Sequence, residues 1–221
     1  IARFATLAGG DPLAIALLKL SDARGPVRVE SLGLSEDQIA QAAQRGDLLL
    51  DGQGWALHPG AWARLADRAR RALARFHAAE PQRLGLPPES LRSRLRLEPE
   101  TFAVALDWLV REGVIAPAEG GAVRLPEHTV RLSAAQEDAL ARLRRAFAEQ
   151  PHTPPTVQQA RELVGDTLLN SLIERGELVP ISSEVVLAPD VLAEWAAFAR
   201  ERLERGEPLN VGALRDHFGT T

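Results

Sequence analysis

One spacing recurs three times along this 221-residue chain and limits what it can fold into. Arg45-Gly46-Asp47-Leu48, Glu112-Gly113-Val114 and Arg175-Gly176-Glu177-Leu178 each close a stretch of helical periodicity and open an apolar run that a proline ends. Gly46 to Pro59, Gly113 to Pro126 and Gly176 to Pro189 are all 13 residues apart, and the glycines are offset by 67 and then 63 residues. Such a period is the size of a small domain and exceeds that of a solenoid repeat, so the chain reads as copies of one small module. The expected modules are residues 1–60, 61–130 and 131–190, with 191–221 the first part of a fourth.

The second copy shows the internal order best. Trp62, Leu65, Ala69, Leu73 and Phe76 recur at helical steps while Arg64, Arg68, Arg71 and Arg75 take another face, which predicts an amphipathic first helix. Pro81 to Pro87 interrupts it, and Pro88 suits the first turn of a short helix through Leu91 and Leu95. Glu98-Pro99-Glu100 opens a third helix carrying Phe102, Leu106, Leu109 and Val110, and Gly113 ends it. Residues 114–126 then alternate around Glu119-Gly120-Gly121, the pattern of a β-hairpin.

The other copies follow suit. Hairpins are expected over 48–58, turning on Asp51-Gly52-Gln53-Gly54, and over 178–187, turning at Ser182-Ser183-Glu184. The third copy's helices are expected near 134–149, 157–164 and 166–175, with short strands at 27–29 and around Thr156. In the fourth, Val191, Trp195 and Phe198 mark a first helix and residues 211–218 a second, after which the expected third helix is cut off. Helix, helix, helix, hairpin is a winged-helix order. The predicted fold class is therefore mainly α with small β-hairpins (α+β), as tandem winged-helix (helix-turn-helix) domains in an elongated array with short joints at Pro59, Pro126 and Pro189.

Composition narrows the function classes. There is no cysteine, which removes disulfides, thiolate catalysis and Cys-ligated zinc. No apolar run approaches the ~20 residues of a membrane span and there is no leader, so a cytoplasmic protein without membrane contact is expected. The absence of methionine and the start at Ile1 suggest a piece of something longer. Of 26 basic residues only Lys19 is lysine, and 30 acids leave a net charge of −4, so any nucleic-acid role must be local. His58, His77, His128, His152 and His217 show no metal-binding spacing, and no serine or carboxylate pair has a catalytic setting, so neither a metal nor an enzymatic role is expected.

Leu132-Ser133-Ala134-Ala135-Gln136, the stretch from Leu172 to Val179, and above all Pro208-Leu209-Asn210-Val211-Gly212-Ala213-Leu214-Arg215-Asp216-His217-Phe218-Gly219-Thr220-Thr221 resemble the C-terminal extension of the bacterial selenocysteine-specific elongation factors, SelB. The resemblance covers the whole chain. It implies a translational GTPase whose N-terminal domains bind GTP and Mg²⁺ together with selenocysteyl-tRNA, followed by four winged helices, the last of which binds the selenocysteine insertion hairpin of mRNA on the ribosome. No Gly-x4-Gly-Lys-Ser/Thr occurs here, so no cofactor is expected in these residues. Arg215, Thr220 and Thr221 occupy positions near the family's RNA contact, and a monomer is expected.

The residues themselves test that implication. A third helix that grips nucleic acid should offer Arg, Lys, Asn or Gln in its first turns. The three complete copies offer Ser35-Glu36-Asp37-Gln38, Glu98-Pro99-Glu100 and Asp166-Thr167, whose carboxylates suit a helix N-terminus but repel phosphate. This favours an arm that positions the fourth module. The competing reading is a tandem winged-helix interaction protein of the chromosome-partitioning or transcription-regulator type. Arg64, Arg68, Arg70, Arg71 and Arg75 read first as a solvated face paired with acids and second as an RNA contact; Trp55, Trp62, Trp108 and Trp195 read as core anchors.

Overall fold

The computed structural model describes residues 10–219, in two units: Ile1–Ala79 with Gly85–His128, and Glu80–Leu84 with Thr129–Thr221. Both are mainly helical with small antiparallel hairpins; the second copy shows the predicted helix and hairpin order in full, while the first and third depart from it in their second helix.

In the first unit α1 (Pro12–Asp22) starts on Asp11, whose carboxylate accepts the Leu13 N–H at 3.1 Å. β1 (Val27–Arg28) follows, then a 3-10 turn (Val29–Leu32) in place of a second α-helix. The turn leads to α2 (Glu36–Gln44), closed at its start by reciprocal bonds between Ser35 and Gln38. β2 (Leu49–Leu50) and β3 (Trp55–Leu57) form the hairpin, and β1 adds to its free edge in the order β1-β3-β2. The Asp51 carboxylate holds the turn by accepting the Gln53 and Trp55 N–H groups at 2.7 and 2.9 Å.

β3 runs into α3 (Pro59–Ala79) with only His58 between them, and α4 (Pro88–Leu95), α5 (Pro99–Arg111), β4 (Ala116–Pro117) and β5 (Val123–Arg124) complete the second copy. Leu86 bridges to Val123, extending this hairpin as β1 extends the first. Gly85 permits that approach, because a Cβ there would stand 2.6 Å from the Val123 carbonyl oxygen.

The first copy has a small core of its own, Leu20, Ala42, Leu48 and Ala56, and its hairpin also enters the larger core of the second copy. Leu57 of the first hairpin is buried in the same cluster as Leu65, Leu73, Leu91, Leu95 and Leu109 of the second copy. Arg28 stacks over Trp55 at 4.4 Å and ion-pairs with Glu100, and Gly25 lies against Leu97 and Thr101. The absence of a linker at Pro59 leaves the apolar face of α3 directly behind β3, so the two modules bury each other's surface.

In the second unit α6 (Ala134–Glu149) and α7 (Val157–Glu174) begin on capping boxes from Ser133 with Gln136 and Thr156 with Gln159. α7 is interrupted at Gly165, whose φ of 78° and ψ of 161° are non-helical, at the division expected between 157–164 and 166–175. β6 (Val179–Pro180) and β7 (Val186–Leu187) form the hairpin, with Thr156 bridging to Val185, and Leu143, Phe147, Leu168, Leu172 and Val186 lie in the core. α8 (Pro189–Glu204) and α9 (Val211–Phe218) follow.

The segment Glu80–Leu84 belongs to this second unit although it connects α3 to α4. The buried Ser171 hydroxyl donates to the Gln82 carbonyl, Arg131 N–H donates to the Pro81 carbonyl at 2.9 Å, and Arg83 ion-pairs with Glu174. Ser171→Ala removes the donor and leaves the buried Gln82 carbonyl without it, so a loss of about 1–3 kcal/mol is expected in urea denaturation. A loss below ~0.5 kcal/mol would show that the hydroxyl contributes nothing net.

Candidate nucleic-acid interface

Arg215 lies exposed on α9. Asn210 caps the helix by accepting the Ala213 N–H at 2.9 Å, and Gly219 ends it in the left-handed region (φ 65°, ψ 29°), donating its N–H to the Arg215 carbonyl. Arg215 occupies the last turn, where its positive charge complements the carbonyl end of the helix. Thr220 and Thr221 lie outside the described residues, so Arg215 is the one member of the predicted set whose placement the structure describes.

An aromatic cluster sets the orientation of α9. Phe218 meets Trp195 at 5.6 Å and Phe198 at 5.4 Å, and His217 stacks on Phe198 at 4.0 Å. Trp195 donates from Nε1 to His152 Nδ1 at 3.1 Å, and the His152 ring lies 4.7 Å from Phe218. The helical spacing of Trp195 and Phe198 announced this face; His152, 43 residues before Trp195, had no local signal. Trp195 is accordingly half-buried and bonded, in keeping with an anchor.

The third helices of the complete copies keep the acidic starts read from sequence. Glu36 and Asp37 stand in the first turn of α2 and Glu100 in that of α5. Arg28 pairs with Glu100, and Arg161 pairs with Asp166 just beyond the Gly165 break. These starts present carboxylates, two of them already engaged, where phosphate contact would need donors.

The arginine ladder of α3 departs from expectation. Among the described residues Arg71 is the one of Arg64, Arg68, Arg70, Arg71 and Arg75 with an ion pair, to Asp67. Arg64 donates to the Ser21 carbonyl, and Arg68 to those of Leu95 and Arg24, so these two serve as backbone braces where acid pairing was expected. Trp55 and Trp108 are buried, and Trp62 packs edge-on against Trp108 at 6.2 Å, as core anchors.

His77 is the most perturbed titratable group resolved. Buried in α3, it accepts the Leu125 N–H on Nε2 at 3.3 Å and stacks on His128 with ring centres 3.5 Å apart. Burial first, then the neighbouring His128 and Arg124, hold its pKa down to about 4 against a smaller opposing effect of Glu127. Among the described residues no group of three or more potential ligands is placed to hold a metal ion, and no helix is long and apolar enough to cross a membrane.

No curated protein matches the chain. The family model described as the winged helix of elongation factor SelB matches residues 70–125, which run from the second half of α3 through α4 and α5 to the end of the hairpin. The match falls within the second copy of the repeated pattern, and residues 70–125 thus carry a SelB-like winged-helix domain.

Proposed function

We propose that this chain forms part of the C-terminal arm of a selenocysteine-specific translation elongation factor, in which it positions a winged helix that binds the selenocysteine insertion hairpin of mRNA so that selenocysteyl-tRNA is delivered at UGA. The match of the second module to the SelB winged-helix family carries this reading. The acidic third-helix starts support a spacing role for the complete modules, since they put carboxylates where a recognition helix would need donors to phosphate. Arg215 then lies at the margin of the hairpin contact, on a helix oriented by the aromatic cluster. In this reading the arm has no catalysis of its own; GTP and Mg²⁺ bind domains outside these residues, the ribosome and selenocysteyl-tRNA are partners through the whole factor, and the setting is cytoplasmic.

Hairpin selectivity then resides in a whole fourth module. In anisotropy titrations at one fixed salt concentration, a longer chain carrying that whole module should prefer the insertion hairpin over a shuffled hairpin by about 10³-fold, the lower end of ordinary nucleic-acid specificity. Residues 1–221 should discriminate by less than about threefold on the same scale. Equal selectivity of the two chains would contradict the proposal.

A further inference from the structure

The first unit contains a groove of about 570 Å³ between α3 and the end of α4, lined by Arg68, Arg71, Ala72, Arg75, Ser93, Arg94 and Arg96. Five of those seven residues are arginines. Among the described residues Asp67, paired with Arg71, is the carboxylate ion-paired to them, so the local charge is 5 − 1 = +4 within a chain whose net charge is −4. Mutual repulsion is visible at Arg68, whose pKa is lowered by burial and then by Arg24 and Arg96.

Part of this gathering has a structural cause. Arg68 donates to the Leu95 carbonyl at the end of α4 and Arg94 to the Ala72 carbonyl of α3 at 3.4 Å, bonds that tie the two helices together. That accounts for the walls. It leaves Arg75 and Arg96, both exposed and without a side-chain ion pair or hydrogen bond among the described residues, facing the same groove. Arg96 also sits at φ 53°, the single non-glycine residue with positive φ among the described residues, at a helix-ending position where glycine is the usual choice. A left-handed arginine carries a backbone cost, met here by the helix-ending bonds of its N–H to the Arg92 and Ser93 carbonyls.

We propose that this groove binds the phosphodiester backbone of a nucleic acid without reading its bases. Arg68, Arg71 and Arg75 follow one face of α3, and Arg68 to Arg75 spans about 10 Å, which matches about three nucleotides of axial rise of a duplex at ~3.4 Å each. Guanidinium groups match phosphate oxygens as planar forks. The uncharged lining is Ala72 and Ser93, with no aromatic residue for base stacking and no apolar pocket for the buried anchor that a peptide partner requires. The site lies in the second module and stands independently of the hairpin reading.

The test is an anisotropy titration of the 221-residue chain with a 20-base-pair RNA duplex and with the DNA duplex of the same sequence, each between 50 and 200 mM salt. Three to four phosphate contacts give a slope of about −3 in log K against log salt, and the tighter duplex identifies the source of the backbone. Arg75→Gln with Arg96→Gly removes two charges, and glycine suits the backbone at 96, so the fold is kept. This double variant should bind about tenfold or more weakly and reduce the slope by about 2, whereas Arg142→Gln with Arg145→Gln, equal in charge and exposed on α6, should change affinity less than twofold. Equal loss in both double variants, no loss in either, or tighter binding of phosphatidylserine vesicles or polyglutamate than of either duplex at the same salt would overturn the proposal.

Discussion

Leu57→Ala should destabilise the first unit by about 2–5 kcal/mol, the range for truncating a leucine buried in a close-packed core. The site of the damage makes the prediction informative. Leu57 belongs to the first hairpin, yet it lies in the core cluster of Leu65, Leu73, Leu91 and Leu109 of the second copy and outside the first copy's own cluster of Leu20, Ala42, Leu48 and Ala56, so the cavity weakens the seam that couples the two modules. Trp55, Trp62 and Trp108 all report on this unit. In a Trp195→Phe background, which silences the second unit's tryptophan, urea denaturation followed by tryptophan fluorescence should show them in a single transition shifted to lower urea with an unchanged slope. Two separated transitions would mean that the copies fold independently and that the burial of Leu57 does not couple them.

Acidification should weaken the same unit through His77. The folded state keeps this imidazole neutral down to about pH 4, because a charged ring would be buried beside His128 and Arg124, whereas in the unfolded chain it takes up a proton near the ordinary 6.5. Between those values the unfolded state binds more protons, so stability is fully present above pH 6.5, falls as pH drops, and loses nothing more from this residue below about 4. The gap of about 2.5 pH units at 1.36 kcal/mol each corresponds to a loss on the order of 3 kcal/mol. His77→Gln cannot titrate, and its denaturation midpoint should vary correspondingly less between pH 6.5 and 4 than that of the wild-type chain. Parallel profiles, or a His77 NMR titration centred near 6.5, would remove the burial argument.

The candidate RNA contact was legible only in part. The sequence pattern placed Arg215 near the end of a second helix of the fourth module, and that helix is present with Asn210 as its cap and Gly219 as its stop. What orients it is less local: His152 closes the aromatic cluster from the connection between α6 and α7. The arginine ladder shows the same division. Helical spacing put Arg68 and Arg75 on one face, but the gathering of Arg94 and Arg96 against them depends on how α4 crosses α3, and no period in the chain encodes that crossing.

Residue order by itself determined the repeated module, because its signals act over a few residues. Apolar side chains at 3.6-residue steps, capping serines and threonines, proline at first helical turns and glycine at helix ends each bias the backbone nearby, and the three hairpins and the break at Gly165 follow. Tertiary structure alone decided that Leu57 of the first hairpin enters the core of the second copy, that Glu80–Leu84 bonds to Ser171 and Glu174, and that His77 is buried against His128. Those outcomes turn on which apolar faces meet and which polar atoms they shut away from water, a choice made by surfaces distant in sequence and carried by burial.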